Sequence, residues 1–234
     1  AYDYAGEIFS LGMELEDVLK NRVQDRPIQF SVGVADVVPK LIAYNLLEPA
    51  LQLPEAVRII CHENKLDNLL ADLALHKLDM VLSDSPIKFG VNVRAYNHFL
   101  GECGLSCFAT QELAQDIKSQ VPSSVHQTPG LMPTLGTALR GSLIQWFDKL
   151  EIQPHIVAEC DDSALMKAFG QAGIGVFVAP SVIEQQVLRQ YDVELIGRID
   201  DIREQYYAIS AERRLKHPAV IAIREAAKTQ LFIT

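Results

Sequence analysis

Between Ile28 and Leu82 the hydrophobic spacing changes period four times within 55 residues. Residues 28–34 alternate, with Ile28, Phe30, Val32 and Val34 on one face, the period-2 signature of a strand. Val38, Leu41, Ile42 and Leu46 then follow a helical period. Asp36 stands where an N-cap is expected, Pro39 in the first turn, and Pro49 and Pro54 as breakers. Residues 57–61 return to a strand pattern. Asn64 is expected to cap the next helix, with Asp67 nearly completing a capping box. Leu66, Leu69, Leu70 and Leu73 make a stripe at i, i+3, i+4 and i+7. Met80 to Leu82 reads as a short buried strand ending at Ser83-Asp84-Ser85-Pro86. So rapid an alternation implies parallel strands joined by right-handed crossovers.

The second half repeats the plan. Residues 92–109 read as two extended segments around Gly101 and Gly104, a crossing into a second lobe. A short helix at 110–115 and a polar loop at 116–130 follow. The spacing predicts a helix near 137–150 on Leu139, Leu143, Trp146, Phe147 and Leu150, then a strand at 155–159. Asp161 or Asp162 caps a helix with Leu165, Ala168, Phe169 and Ala172 inward and Gly173 as its C-cap. A buried strand at 174–178 follows, and Ser181 with Glu184 forms a capping box for a helix through Leu188. Residues 193–196 and 206–210 are predicted as two strands. Pro218 opens a last helix on Val220, Ile223, Ala227 and Leu231. A crossing near 92–99 requires a return near 199–206. The expected fold is therefore α/β, two lobes with strand C-termini facing a cleft. Ahead of it, Ile8, Leu11, Leu15, Val18 and Leu19 predict a helix over 4–22, ended by Arg26-Pro27.

Composition narrows function. The chain has 234 residues, 49% hydrophobic and 22% charged, which is globular usage. A net charge of −9 repels phosphate backbones, so this segment is expected to bind nucleic acid poorly. No apolar run reaches the roughly 20 residues of a membrane span. The opening residues lack the basic-then-apolar order of a secretion signal. Four scattered cysteines suggest a reduced, cytoplasmic protein.

Catalytic motifs are missing: there is no G-x-S-x-G, Walker loop, H-E-x-x-H or paired C-x-x-C. The glycines of Ala172-Gly173-Ile174-Gly175-Val176 lead from helix to strand, the reverse of a phosphate loop. Cys61 and His62 are strand neighbours that point to opposite faces, so a core cysteine beside a strand-end histidine is weighed against a metal site. Cys103 and Cys107 share a face but need a turn at Gly104 to bond. His126 and His155 read as surface or packing residues. Hydroxyls, carboxylates and helix starts without an activated nucleophile suit binding, not catalysis.

Several segments carry a family resemblance. They are Arg26 to Val34 with Asp36-Val37-Val38-Pro39; Glu63-Asn64 before the leucine helix; Lys77 to Leu82; Asp161-Asp162-Ser163; and Gln171 to Val176 with Ala179-Pro180. In order and spacing, over about residues 26–231, they resemble the regulatory domain of LysR-type transcriptional regulators, and within that family the activators of sodium/proton antiporter genes. The resemblance implies a type-2 periplasmic-binding-protein-like fold with two Rossmann-like lobes and two crossover strands. Residues 26–95 with 205–234 form one lobe and 96–204 the other. Residues 1–25 correspond to the end of a linker helix, with the DNA-binding head outside this sequence.

The same resemblance implies a non-enzymatic module without cofactor or membrane contact, and DNA binding only through that head. It also implies a homodimer through the helix at 37–47, with a tetramer open to the full-length protein. The effector would lie between the lobes against Ala35, Asp36, Asn64, Ser83, Asp84, Ser85, Pro129, Gly130, Asp161, Asp162, Ser163, Gly173 and Gly175. Family positions that are Ser or Thr around a carboxylate effector are here accompanied by acids, which departs from an organic-acid site. Asp36 and Asp84 are then candidate ligands for sodium, which favours oxygen donors. A solute-binding protein of a transport system would share this fold and stands as the alternative.

Overall fold

The computed structural model describes Gly12 and residues 27–87, 94–117, 128–212 and 217–232. Of the helix expected over 4–22 only Gly12, which is helical, is described, and His126 lies outside the described residues. In the first lobe β1 (Ile28–Ala35) leads to α1 (Lys40–Leu51), β2 (Val57–Asn64), α2 (Leu66–Ala74) and β3 (Met80–Ser83). β1 pairs in parallel with β2 and with β3, as the alternation predicts. Because β1 is flanked on both sides and covered on both faces, Ser31 and Gly33 are buried along with Phe30 and Val32. α2 buries Leu69, Leu70 and Leu73, each contributing about 2 kcal/mol.

Two local expectations fail here. Asp36 does not cap α1; Pro39 stands at that position with no side-chain cap, and the helix runs on through Pro49 to Leu51. A proline in the last turn removes one hydrogen bond and is tolerated where the helix is about to end. Asn64 does not cap α2 either. It closes β2, and its Oδ1 accepts from Lys65 N and from Asn68 Nδ2.

The lobes are joined by β4 (Tyr96–Ala109) and β8 (Glu194–Ser210), antiparallel from Tyr96↔Ser210 to Ala109↔Glu194. Fourteen residues extend roughly 46 Å, far beyond a usual strand. The two strands predicted at 193–196 and 206–210 are thus one. The polar stretch between them lies in the ribbon between the lobes, where the backbone ladder continues without apolar cover on both faces. With β7 (Phe177–Pro180) at the far edge, the six-stranded order is β2-β1-β3-β8-β4-β7.

The second lobe adds α3 (Gln111–Asp116), β5 (Pro129–Pro133), α4 (Ala138–Lys149), β6 (His155–Cys160), α5 (Ser163–Gln171), β7 (Phe177–Pro180) and α6 (Glu184–Tyr191). Asp162 caps α5, accepting from Ala164 N at 2.8 Å. The buried face of α5 is Met166, Lys167 and Gly170; Leu165 and Phe169, expected inward, are exposed. Ser181 and Glu184 form no capping box. Ser181 sits in a 3-10 turn, while Glu184 accepts from Ser106 Oγ and, twice, from Arg198 at 2.9 Å. Arg198 holds the Glu184 carboxyl below its usual range, burial opposing. Finally α7 (Pro218–Ala226) returns to the first lobe, capped by His217 Nδ1.

Among the described residues no helix is long and apolar enough to cross a membrane.

Candidate functional site

The cleft lies where β3, β5, β6 and β7 end. Its floor is lined by Asp84 from the first lobe, by Glu204 from the crossover strand β8, and by Pro133, Thr137, Cys160, Asp161, Ser163 and Lys167 from the second. About 40 Å³ is free there. A water needs roughly 10–15 Å³ by the same measure, so the floor admits a small ion with a water or two. The mouth is wider, with Asp36, Ser85 and Arg140 on its rim.

Each expected position can be located. Asp84, Ser85 and Asp36 from the first lobe, and Asp161 and Ser163 from the second, line cleft or mouth. Asp162 stands beside them as the α5 cap, and Asp161 accepts from Thr134 Oγ1. Ser83 is buried, its Oγ taken by Ser85 N at 3.1 Å. Ala35 is packed into the core, and Asn64 is committed to its own turn.

Pro129, Gly130, Gly173 and Gly175 lie at the opposite end of the second lobe's strands. Pro129 begins β5, four residues and about 13 Å before the cleft end at Pro133. The glycines there have backbone duties. Gly173 takes φ +75° after α5. There the N–H groups of Gly173 and Ile174 bond the Gly170 and Phe169 carbonyls, a Schellman closure. A Cβ on Gly175 would stand 2.7 Å from the Pro129 carbonyl oxygen. Cys61, expected in the core, is exposed because β2 is a sheet edge. Cys103 and Cys107 are buried free thiols, both pushed up to about 12, chiefly by burial. Among the described residues no group of three His, Cys, Asp or Glu is arranged to hold a metal ion.

Electrostatics concentrate on three residues that the periodicity did not single out. Ile202, Glu204, Tyr206 and Ala208 share one face of β8, which makes Glu204 the acid in an otherwise inward apolar series. Its Oε2 is buried without a hydrogen-bond partner among the described residues, and so is the hydroxyl of Tyr206, a residue only 1% exposed. Burial first, then the charge of Asp84, pushes Glu204 up to about 7, with Tyr206 and Lys167 acting against the shift. Burial likewise raises Asp84, and the Asp36 charge adds to it while Ser85 opposes.

Lys167 is 3% exposed. Its ammonium donates to the carbonyl and the hydroxyl of Ser163, each at 3.3 Å. Burial pulls it down to about 8, partly resisted by Asp162 and Glu204. Arg140 at the rim is engaged by Glu159 at 2.8 Å and by the Pro133 carbonyl. The floor therefore presents Asp84, Asp161 and Glu204 to a single lysine among the described residues.

Comparison with known proteins fits this architecture. The LysR substrate binding domain matches residues 28–231. The transcriptional activator protein NhaR of Escherichia coli (strain K12) is 34% identical over 231 residues, covering 99% of this chain and 75% of NhaR. Full-length CbnR, solved in complex with its target DNA, superimposes with a TM-score of 0.70 at 14% identity, covering 96% of this chain and 77% of CbnR. The effector binding domain of QuiR in complex with shikimate gives 0.63 at 14% identity, over 86% of this chain and 96% of QuiR's. The chain belongs to the LysR-type transcriptional regulators, as their effector-binding domain, and is not an enzyme.

Proposed function

We propose that this domain senses sodium in the cleft between its lobes and serves an activator of a sodium/proton antiporter gene. The observation that carries the reading is the sign of the floor: Asp84, Asp161 and Glu204 line one small cavity beside a single lysine, whereas the QuiR domain is solved with shikimate, an organic acid. Carboxylates repel such an effector and attract a hard monovalent cation. The 34% identity to NhaR along 99% of the chain favours a regulator over a transport-associated solute-binding protein. In this reading residues 26–95 with 205–234 move against 96–204, residues 1–25 lead to a DNA-binding head, and the net charge of −9 suits a segment that leaves DNA to that head. The setting is cytoplasmic.

The same reading includes a homodimer. Among the described residues β2 and β6 each have one side without a paired strand. Tyr44 (55% exposed) and Leu51 stand beside the first, Val157, Leu165 (51% exposed) and Phe169 beside the second. Pairing one patch with the other across a two-fold axis buries both twice, as an isologous dimer requires.

Thermal unfolding in sodium chloride against potassium chloride at equal ionic strength tests the effector. Sodium is expected to raise Tm and potassium to leave it, since a ligand stabilises only the state that binds it. Equal responses would remove sodium from the reading.

A further inference from the structure

We infer that the cation's seat is formed by Asp84, Glu204 and Tyr206, and that Lys167 is a tethered competitor for it, its ammonium standing in for the free ion when the seat is empty. The inference rests on the cation reading of the cleft and assigns its residues.

Three observations support it. Glu204 Oε2 and Tyr206 Oη are both buried and close enough to act on each other, yet neither meets full hydrogen-bond geometry with any described residue. Buried polar atoms are ordinarily satisfied, so two orphans side by side mark a place for an occupant. Once ionised, the Glu204 oxygen accepts and cannot donate, so in that state the seat takes a cation or a donor. The free space of about 40 Å³ beside Asp84 and Glu204 holds an alkali ion with a water or two.

Lys167 is the second part of the device. A buried ammonium normally makes close ion pairs. Here Nζ has only the two 3.3 Å bonds to Ser163, and among the described residues no carboxylate lies within 4.0 Å of it. It is near enough to Glu204 for each to shift the other's titration. The lysine thus neutralises the floor without occupying its oxygens, and it belongs to the second lobe. Asp84 belongs to the first and Glu204 to the ribbon joining them. A free ion would replace a charge tethered to the second lobe with one shared by the first lobe and the ribbon. That exchange gives the ion different affinities for different lobe arrangements, the requirement for any ligand-driven switch.

The test titrates the whole 234-residue chain with sodium chloride, ionic strength held with potassium chloride, reading sodium-23 line width and Tm. Lys167→Met is expected to bind sodium at least tenfold more tightly than wild type. Tyr206→Phe keeps the ring stacked on Phe232 and is expected to bind severalfold more weakly. If wild type binds sodium and Lys167→Met binds it no more tightly, the competitor is refuted while the sodium reading stands. Unchanged affinity in Tyr206→Phe refutes the seat, and this variant decides the matter even if Lys167→Met does not fold. If Lys167→Met discriminates sodium from potassium and wild type does not, the seat is supported and sodium sensing by the native domain is refuted.

Discussion

Glu204→Gln should make the domain more stable, and by an amount that grows with pH. In the unfolded chain the carboxyl titrates near 4.5; in the folded cleft it titrates at about 7. Between those values the folded state keeps a proton that the unfolded state has released. The folded state therefore loses stability as pH rises through the window, and the loss is complete above 7. Each pH unit is worth about 1.4 kcal/mol, so the full window amounts to about 3 kcal/mol. That is an upper bound, because part of Glu204 touches solvent. Glutamine stays neutral throughout. The variant should match wild type near pH 4.5 and exceed it by up to about 3 kcal/mol at pH 8. Lys167 acts in the opposite direction at higher pH. Its amine titrates at about 8 folded and 10.5 free, so stability is recovered between those values as the unfolded state alone keeps the proton. Urea unfolding in potassium buffers of fixed ionic strength, in steps from pH 4.5 to 8, reads the difference between the two proteins. A difference that stays constant across that range would refute a buried, proton-holding Glu204.

Three further outcomes follow from the packing. Gly175→Ala places a methyl 2.7 Å from the Pro129 carbonyl oxygen and should cost about 1–3 kcal/mol in urea unfolding while leaving the sodium response in place. Asn45 on α1 and Gln186 on α6 exchange two side-chain hydrogen bonds of 3.0 Å between the lobes. Alanine at either should cost about 1–2 kcal/mol, and the double variant little more than one single, a coupling read by a double-mutant cycle. Leu165→Glu adds charge to the exposed patch beside β6 and should shift sedimentation toward monomer without lowering Tm beyond the loss of the dimer.

The fold was legible in the sequence because its signals are periodic. The leucines of α2 and the alternation of β1 report burial directly, and five elements in 55 residues leave few topologies. What misled was local chemistry. Asp36, Asn64 and Ser181 are good capping residue types, yet the N-cap positions of their helices are held by Pro39, Lys65 and Ile183. A short polar side chain can serve a turn as readily as a helix start, and tertiary context decides between them. On α5 the more hydrophobic stripe, Leu165 and Phe169, faces out, and the stripe containing Lys167 faces in. Periodicity finds the greasy face of a helix. It does not say whether that face meets the core of its own chain or a second surface.

The candidate site divides along the same line. The resemblance drew together residues at the cleft ends of the strands and glycines at the far end of the second lobe, since a family pattern records backbone geometry as faithfully as ligand contact. Gly173 is held by its positive φ and Gly175 by its approach to Pro129, and neither lines the cleft. The residues that set the charge of the cleft broke the pattern of their own elements: Glu204 in the apolar phase of a strand and Lys167 on the buried side of a helix. A charge in an apolar phase is costly unless something compensates it. In this domain the two violations face each other across a cavity sized for an ion. Each compensates the other only in part, and that residual imbalance is what the proposed cation would relieve.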